Sequence, residues 1–347
     1  MNIYIYNDNL TEQSERQMST ILTYINCNSL YMNPEWKASF ENVSYFYTSL
    51  NDFLKLDGKK GVLFFNIIDG LRLRKLKKNK DVVLIFRPRG LVPEETYYKK
   101  KNIIKTILLN ICERTALRKV DYFIFLNNAQ KKHFLSKYPF ITNTYKNHFI
   151  LPNTKGTNKL RDIEESSNEV KLVYSGGFSK WQNLDKVYEL ASDVIKKSSK
   201  NVTFTILTFT ENFEAATTLA REYDIIDNFY VKYVSPKDLD KELSKFDLGI
   251  LIRSNHIINQ AASPFKLIDY TYNGLGMIVT TGIKDQLEEI IGKENVFEIQ
   301  FNDKSIQYSS EKLCQFIYKF KEGKRKKLII KRYNQFVQGI KYIDFKE

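Results

Sequence analysis

Short apolar runs alternate with longer amphipathic stretches along nearly the whole chain of 347 residues. The short runs have the length of buried strands, and the longer stretches repeat their apolar residues at helical spacing. Alternation of this kind is typical of α/β domains built on mainly parallel sheets. In the first half it predicts strands at 2–6, 43–47, 82–86, 122–126 and 148–151, and helices at 61–78, 101–119 and 128–137.

A polar segment without periodicity, residues 152–168, interrupts this alternation and is the best candidate for a linker. The alternation then restarts, so we predict two doubly wound domains. Ligands of open α/β sheets bind at the carboxyl ends of the strands, so the site should be built from strand-to-helix loops. The second half has predicted strands at 170–174, 202–207, 229–233, 248–252 and 277–279, and helices at 183–197, 211–223, 236–246, 309–321 and 324–342.

The composition is that of a soluble globular protein, with 43% hydrophobic and 27% charged residues. No apolar run approaches the length of a membrane span, and the N-terminus lacks the pattern of a secretory signal, so we expect a cytoplasmic protein. The three cysteines and three histidines are scattered, which argues against a disulfide framework and against a metal site. We therefore expect no metal and no bound cofactor.

The net charge of +14 is concentrated in one segment. Between Gly70 and Lys119 there are 15 Lys and Arg residues and four acidic ones. Such an excess suits nucleic acid, an anionic membrane surface or a phosphorylated substrate, because the long-range attraction is the same for each. Ordinary solvated helix faces remain the alternative. The stacking aromatics that single-stranded nucleic acid requires are not evident near residues 75–80.

Two loops of the second half could bind an anion. In the first, Gly176 and Gly177 follow a strand and could expose amides to phosphate, with Lys180 adding charge, although a plain tight turn explains them equally well. The second loop, SPFKLID, begins a helix.

In SPFKLID we expect Ser263 to cap the helix and Pro264 to take its first position. The amides of Phe265 and Lys266 would then face an anion, and Asp269 could bind a pair of sugar hydroxyls. The alternative is a capped helix with an exposed acid.

Two further loops contain charged side chains. Arg87, Arg89, Glu94 and Glu95 surround Gly90 after a strand, as expected for a charged or hydroxylated substrate or a general base, or for a surface cluster of ion pairs. In the last loop, Arg253 directly follows a strand, and His256 and Asn259 come after it. The pattern favours His256 as a loop residue over a catalytic residue.

The run from Phe246 to Gly282 resembles the donor-site signature of GT-B glycosyltransferases of group 1, the family 4-like type that builds bacterial capsules and lipopolysaccharides. That signature contains P-x-K-x-x-E-Y followed by G-x-P-V-I. The segments SGGFSKWQNLD and RPRGLVPEE are similar to the family's donor loop and acceptor side, so the resemblance spans most of the chain. The positions that match the signature are Pro264, Lys266, Asp269, Tyr270, Gly274 and the strand 277–279.

This resemblance implies an α/β protein of the GT-B fold, with two Rossmann-like doubly wound domains facing a central cleft. A C-terminal helix would cross back to the N-terminal domain. Residues 1–155 would form the acceptor domain, 156–322 the nucleotide-sugar domain and 323–347 the C-terminal helix.

The resemblance also implies the activity: transfer of a sugar from a nucleotide-activated donor to a growing glycan or polyprenyl-diphosphate-linked acceptor of capsule or O-antigen. The basic segment between Gly70 and Lys119 fits peripheral contact with an anionic inner membrane from the cytoplasm, and we expect no nucleic acid as a partner. The implied donor-binding residues are Gly176, Gly177, Lys180, Arg253, Asn259, Ser263, Pro264, Phe265, Lys266 and Asp269. The implied acceptor-binding residues are Arg87, Arg89, Gly90 and Glu94. From the charges of these loops we assign Glu94, Glu95 and Arg253 to catalysis.

The sequence departs from the family pattern at the donor site. Asp269 replaces the usual glutamate, and Ala261 stands where many members have another. The arginine and lysine that commonly bind a diphosphate correspond to Gly177 and Gln182, which leaves Lys180 and Arg253 as substitutes. A nucleoside-monophosphate sugar or another activated phosphate-sugar therefore stays open as the donor.

Two alternative functions also stay open. An epimerase or phosphorylase on the same fold is the alternative enzyme, and a nucleic-acid-binding protein is the non-enzyme alternative.

Overall fold

A computed structural model describes residues 1–7, 12–26, 29–32, 44–46, 50–142, 147–159, 169–198, 201–302, 304–320 and 324–345. The chain divides into two compact units. The first unit comprises Met1–Asn153, Ala261–Ser263 and Ile340–Glu347, and the second comprises Thr154–Gln260 and Pro264–Gly339. Residues 160–168 of the predicted linker lie outside the described residues.

The first unit is built on a parallel sheet, seven-stranded in its described part. The strands are β1 Asn2–Asn7, β2 Ser29–Met32, β3 Ser44–Phe46, β4 Lys60–Phe64, β5 Val82–Phe86, β6 Tyr122–Phe125 and β7 His148–Ile150. The helices are α1 Glu12–Tyr24, α2 Leu50–Lys55, α3 Ile67–Leu73, α4 Val92–Lys100, α5 Ile103–Leu117, α6 Asn128–Lys137 and α7 Pro139–Thr142. The spatial order β3-β2-β1-β4-β5-β6-β7 is that of a doubly wound sheet, which starts in the middle and grows outward in both directions.

The second unit repeats this architecture on a sheet of order β10-β9-β8-β11-β12-β13-β14. Its described strands are parallel except β14, which is antiparallel to β13. The strands are β8 Glu169–Ser175, β9 Asn201–Leu207, β10 Phe229–Lys232, β11 Leu248–Leu251, β12 Gly276–Thr280, β13 Val296–Phe301 and β14 Ile306–Gln307. The helices are α8 Leu184–Lys197, α9 Phe213–Glu222, α10 Leu239–Leu243, α11 Ile257–Gln260, α12 Phe265–Tyr272, α13 Thr281–Ile291, α14 Ser310–Lys319 and α15 Lys324–Gly339.

Several central strands are buried at every position, among them β5 in the first sheet and β11 and β12 in the second. Parallel strands covered on both faces have continuous apolar sequences rather than alternating ones. The same pattern explains why the helix predicted at 61–78 starts too early. Its first residues form β4, which is wholly buried, and helical structure begins only at Ile67 and continues to Lys78. Strands β2, β13 and β14 were also not predicted.

The C-terminal residues are divided between the units. Helix α15 belongs to the second unit, whereas residues 340–345 belong to the first. There the amide of Ile343 donates to the carbonyl of Tyr24 at 2.9 Å, and the ring of Phe345 contacts those of Tyr122 and Phe149. The tail of the chain is therefore part of the first unit's core.

Candidate functional site

The second sheet has a topological switch point at β8, which lies between β9 and β11. The loops that leave β8 and β11 diverge there, and open α/β sheets bind ligands in the resulting crevice at the carboxyl ends of the strands. Gly176 directly follows β8, and Arg253 comes two residues after β11. The fold therefore brings together two donor-site residues predicted from the sequence.

Gly176 is required at the end of β8 for two reasons. Its φ of +136° lies in a region that side-chain-bearing residues rarely adopt. A Cβ added there would also lie 2.5 Å from both Cε and Nζ of Lys266. The side chain of Lys266 therefore extends from the first turn of α12 to the end of β8 and occupies the space that the glycine leaves.

The ammonium group of Lys266 is held by neutral partners. Its Nζ donates to Oη of Tyr174 at 2.7 Å and to Oε1 of Gln182 at 3.0 Å, and it lies 4.1 Å from the ring centroid of Tyr174. Burial, and then the nearby charge of Arg253, lower the pKa of Lys266 well below its ordinary value. The site therefore disfavours the ammonium form until a negative charge is added.

Arg253 is the second cation at this point. Its backbone is fixed by Thr280, whose Oγ1 accepts from the amide at 3.0 Å and donates to the carbonyl at 2.6 Å. Its Nη1 donates to Oδ1 of Asn259 at 3.4 Å, and Asn259 is itself held by Ser254 at 2.9 and 3.1 Å. Asn259 therefore orients the guanidinium. Burial lowers the pKa of Arg253, and its Nε is buried without a hydrogen-bond partner in the described part of the chain.

Lys266 and Arg253 form what we call the cation pair. Among the described residues, no carboxylate forms an ion pair with either side chain. Two partly buried cations without a counter-ion are unfavourable because their neutral partners do not balance the charge that water would otherwise screen. An anionic ligand such as a phosphate group would supply the missing charge and hydrogen-bond acceptors.

Helix α12 begins one residue later than expected. Its N-cap is Pro264, which provides no side-chain hydrogen bond, so the expectation that Ser263 caps the helix was wrong. Ser263 belongs to the first unit, where its Oγ accepts from the amide of Asn153 at 3.3 Å and its carbonyl accepts from the Asn153 side chain at 2.7 Å. Without a capping side chain, the first turn of α12, with Phe265 and Lys266, retains its preference for an anion.

Asp269, predicted to bind a ribose, lies in a buried network and is only 4% exposed. Its Oδ1 is 2.8 Å from Nζ of Lys155, which also contacts Oδ1 of Asp240 at 2.6 Å. Tyr333 of α15 holds the backbone of Lys155 at both its amide and its carbonyl. A ribose would therefore meet a carboxylate that is already oriented by a lysine.

The remaining residues of the predicted donor loop are less informative. The carbonyl of Gly177 accepts from Oη of Tyr174 at 2.9 Å, and an added Cβ at Gly177 would meet nothing within 4 Å. Lys180 begins a short 3-10 turn, but its side chain lies outside the described part of the structure.

In the first unit, Arg87 and Arg89 lie at the carboxyl end of β5. Arg87 is fully buried, and its Nη2 donates to the carbonyl of Leu151 at 3.1 Å and to Oδ1 of Asn153 at 3.0 Å. Burial, and then the charge of Arg89, lower the pKa of Arg87 to about 9. The guanidinium of Arg89 lies 4.4 Å from the ring centroid of Phe65. The two arginines are thus rigidly placed by carbonyl groups and an aromatic ring.

Glu94 and Glu95 have different surroundings. Oε1 of Glu94 accepts from Nε2 of His133 at 3.0 Å and from Nζ of Lys137 at 2.7 Å. Burial would raise the pKa of Glu94, but these hydrogen bonds outweigh it and lower the pKa to about 2. A carboxylate so stabilised is a weak base. Glu95 lies 3.3 Å from Lys99, and its carboxylate occupies the space beside Gly90 that a Cβ would fill.

Three contributions to these sites were missed from the sequence. The role predicted for Lys266 was that of its amide, whereas its side chain is the group that reaches the end of β8. Tyr174 and Lys155 were not considered at all. The only sequence signal for Lys266 was the lysine of the P-x-K pattern, because contacts across 92 residues such as Lys266–Tyr174 leave no periodic trace.

No family model matches the sequence, and no curated protein matches it either. Solved structures do match over nearly the whole chain. Anabaena HepE in complex with UDP has 10% identity and a TM-score of 0.65, covering 97% of this chain and 95% of its own. The lipopolysaccharide outer core galactosyltransferase WaaB has 12% identity and a TM-score of 0.63, covering 98% and 96%. Sucrose-phosphate synthase from Thermosynechococcus elongatus has 11% identity and a TM-score of 0.63, covering 97% and 94%.

At such low identity these structures establish the fold alone. The chain has the GT-B fold, as the sequence predicted, with one Rossmann-like sheet in each unit.

Proposed function

We propose that this protein is a glycosyltransferase that takes a sugar from a nucleotide-activated donor bound at the cation pair. The main observation is that Lys266 and Arg253 lie together at the switch point of the second sheet without a carboxylate partner among the described residues. The missing side chain of Gly176 makes room for Lys266, so its ammonium group reaches the carboxyl end of β8. The structural likeness to HepE, which was solved with UDP, supports a nucleotide as the ligand.

The chemistry follows from the charges. When the bond between the sugar and the donor phosphate breaks, negative charge grows on the leaving phosphate. The cation pair, positioned by Tyr174, Gln182 and Asn259, would stabilise that charge without rearrangement. Preorganised positive charge can take the place of a metal ion, so we propose that none is required. Within the described residues, no three His, Cys, Asp or Glu side chains are grouped to hold one.

The predicted donor contacts fit around this pair. The amides at the start of α12 would add to the phosphate site, and Asp269 would accept hydrogen bonds from the ribose hydroxyls while Lys155 keeps it oriented. The open space at Gly177 would lie along the nucleotide. This set is compatible with a nucleoside diphosphate because two cations, not one, meet the phosphates.

For the acceptor we propose a growing, lipid-linked glycan of a bacterial surface polysaccharide such as capsule or O-antigen. The likeness to WaaB, a galactosyltransferase of the lipopolysaccharide outer core, supports this class. Arg87, Arg89 and Gly90 would form the acceptor side. Glu95 and Arg253 would act in catalysis, and Glu94 would act as a fixed negative charge because its pKa is about 2. The location that fits this role is the cytoplasmic face of the inner membrane.

A thermal-shift screen with UDP, GDP, ADP, CMP and their sugars tests the donor site. A ligand in excess raises the melting temperature because it binds only the folded state. We expect one nucleotide series to stabilise the parent, and Lys266→Met to weaken its binding roughly 10- to 100-fold, since charged hydrogen bonds to phosphate are lost. Lys241→Met, at an exposed lysine of the same unit, is the matched control and should bind as the parent does.

Two results would count against the proposal. If no nucleotide stabilises the parent, the donor site is wrong. If the sugar nucleotide is converted equally well with and without an acceptor glycan, the protein is an epimerase or phosphorylase on the same fold and not a transferase.

A further inference from the structure

Helix α5 exposes five large aliphatic side chains on one face. Ile104 is 75% exposed, and the other four are between 53% and 61% exposed. At 3.6 residues per turn their positions cover an arc of about 140° of the helix surface. They therefore form one continuous surface, called here the apolar stripe. It consists of Ile103, Ile104, Ile107, Leu108 and Ile111.

The opposite side of the same helix attaches it to the first unit. Glu113, Ala116 and Leu117 are its buried residues, and Ala116 packs beside Gly70 of α3 so closely that an added Cβ on Gly70 would lie 2.9 Å from the Cβ of Ala116. Helix α5 is thus anchored through its second half. Its first half presents aliphatic side chains to solvent, which is unfavourable unless something covers them.

The rim of the apolar stripe is positively charged. From Thr96 to Cys112 the sequence has no acidic residue, and the next one, Glu113, is buried and accepts from Lys137 and Tyr138. Nζ of Lys101 lies 5.2 and 5.6 Å from the ring centroids of Tyr97 and Tyr98. The exposed cations and aromatics beside the stripe are Tyr97, Tyr98, Lys99, Lys100, Lys101 and Lys105.

The stripe also ends in cations. By helical spacing, Arg114 and Arg118 continue the same face toward the C-terminus of α5, and both are exposed. The face therefore changes from aliphatic to basic along its length. This gradient would place the first half of the helix deeper than the second in any medium that is apolar inside and anionic at its surface.

Several kinds of partner attract positive charge, but an anionic lipid bilayer also covers the aliphatic side chains of the stripe. Nucleic acid would meet the lysines but would leave the isoleucines in contact with water. A second copy of the chain would bring two lysine rims together, and like charges repel. Anionic lipids satisfy both features, because aliphatic side chains enter the acyl boundary while lysines and tyrosines lie at the headgroups.

We propose that the apolar stripe of α5, with the lysines and tyrosines around it, docks this protein on an anionic lipid bilayer. The helix would lie along the interface, with its first half deeper than its second. Its 15 residues extend about 22 Å, less than the hydrocarbon thickness of roughly 30 Å. Within the described residues, no helix has the length and apolar content to cross a membrane. This docking does not depend on the proposed donor chemistry, so the two can be tested separately.

Flotation of the full chain with vesicles tests the docking. We expect binding to vesicles of phosphatidylethanolamine and phosphatidylglycerol, and much weaker binding to vesicles of phosphatidylcholine alone. Ile104→Gln/Ile107→Gln/Leu108→Gln should reduce the partition coefficient at least roughly tenfold, because three inserted side chains are lost. Lys100→Gln/Lys105→Gln should weaken binding to the anionic vesicles and reduce its dependence on salt.

The matched control is Phe209→Gln/Tyr230→Gln/Tyr233→Gln, which replaces three side chains of similar exposure in the second unit and should bind as the parent does. Each variant should keep the parent's melting temperature and its response to nucleotides. If the stripe variant is less stable, the lysine variant alone decides the result.

Three outcomes would overturn the proposal. The first is a parent protein that floats with neither vesicle. The second is binding of the stripe and lysine variants as tight as that of the parent. The third is a concentration-dependent dimer of the parent without lipid that the stripe variant abolishes, which would make the stripe an interface between copies.

Discussion

The Nζ atom of Lys266 lies where a side chain at Gly176 would be, 2.5 Å from the position of an added Cβ. The two residues come from different elements, the first turn of α12 and the end of β8. Because Gly176 has no side chain, Lys266 can lie over the buried ring of Tyr174. There it is close enough to Arg253 for the two charges to interact. The site is therefore assembled before any anion binds, and the energetic strain of two neighbouring cations is relieved when one does.

Gly176→Ala should disturb both the backbone and the lysine. At φ of +136° a side chain is strained, so we expect the free energy of unfolding to fall by about 1 to 3 kcal/mol. Because the new methyl group would displace Nζ of Lys266, stabilisation by nucleotides should also be lost. Chemical denaturation and thermal shift measure the two effects. Gly177→Ala is the control for the unfolding free energy, since its added Cβ meets nothing within 4 Å. A Gly176→Ala protein that responds to nucleotides like the parent would remove Lys266 from the site.

The lowered pKa of Lys266 makes the stability of the ligand-free protein depend on pH. Between this lowered pKa and the ordinary value of 10.5, the unfolded chain binds more protons than the folded one. The lysine's contribution to the free energy of unfolding should therefore rise with pH across that window. Lys266→Met has no such proton, so the difference in unfolding free energy, parent minus variant, should rise with pH. Denaturant titrations of both proteins at several pH values measure it.

Anion binding should have the opposite dependence. A phosphate next to Lys266 favours the ammonium form, so nucleotide affinity should fall as pH rises through the same window. Lys241→Met, with the cation pair intact, should keep this dependence. A nucleotide affinity that is independent of pH in the parent would mean that Lys266 does not change its protonation on binding.

Glu94 should contribute to stability in acid. Its pKa is about 2 in the folded protein and near 4.5 when unfolded, so its contribution is present above 4.5 and is lost as pH falls toward 2. Glu94→Gln should lower the free energy of unfolding at neutral pH by roughly 1 to 3 kcal/mol, because hydrogen bonds from His133 and Lys137 to a charge are lost. Between pH 4.5 and pH 2, the free energy of unfolding should fall less in Glu94→Gln than in the parent.

Glu95→Gln is the matched control for this measurement. Its carboxylate contacts Lys99 near the surface, where such contacts contribute at most about 1 kcal/mol. Equal loss of stability in the two variants would contradict the assigned role of Glu94. Glycosyl transfer that disappears in Glu95→Gln while stability is kept would support Glu95 as the catalytic carboxylate.

The sequence by itself determined the fold class and most of the elements. Strand β5, with five apolar residues, and helix α8, with apolar residues at helical spacing, can be read locally because burial imposes a period on neighbouring residues. The order of alternating elements then implies two doubly wound sheets. The error at residues 61–78 arose where a short apolar strand and an amphipathic helix adjoin, since periodicity alone does not separate them.

The tertiary structure decided which side chains meet. Lys266 and Arg253 are far from Tyr174 in sequence. No local pattern predicts that two cations will lie together with no carboxylate partner among the described residues. It also decided the exposure of the apolar stripe: the sequence indicated an amphipathic basic helix at 101–119, but not which side the first unit would cover. The physical reason is the same in both cases. Local spacing determines the face of an element on which a residue lies, whereas the surroundings of that face depend on how distant elements pack.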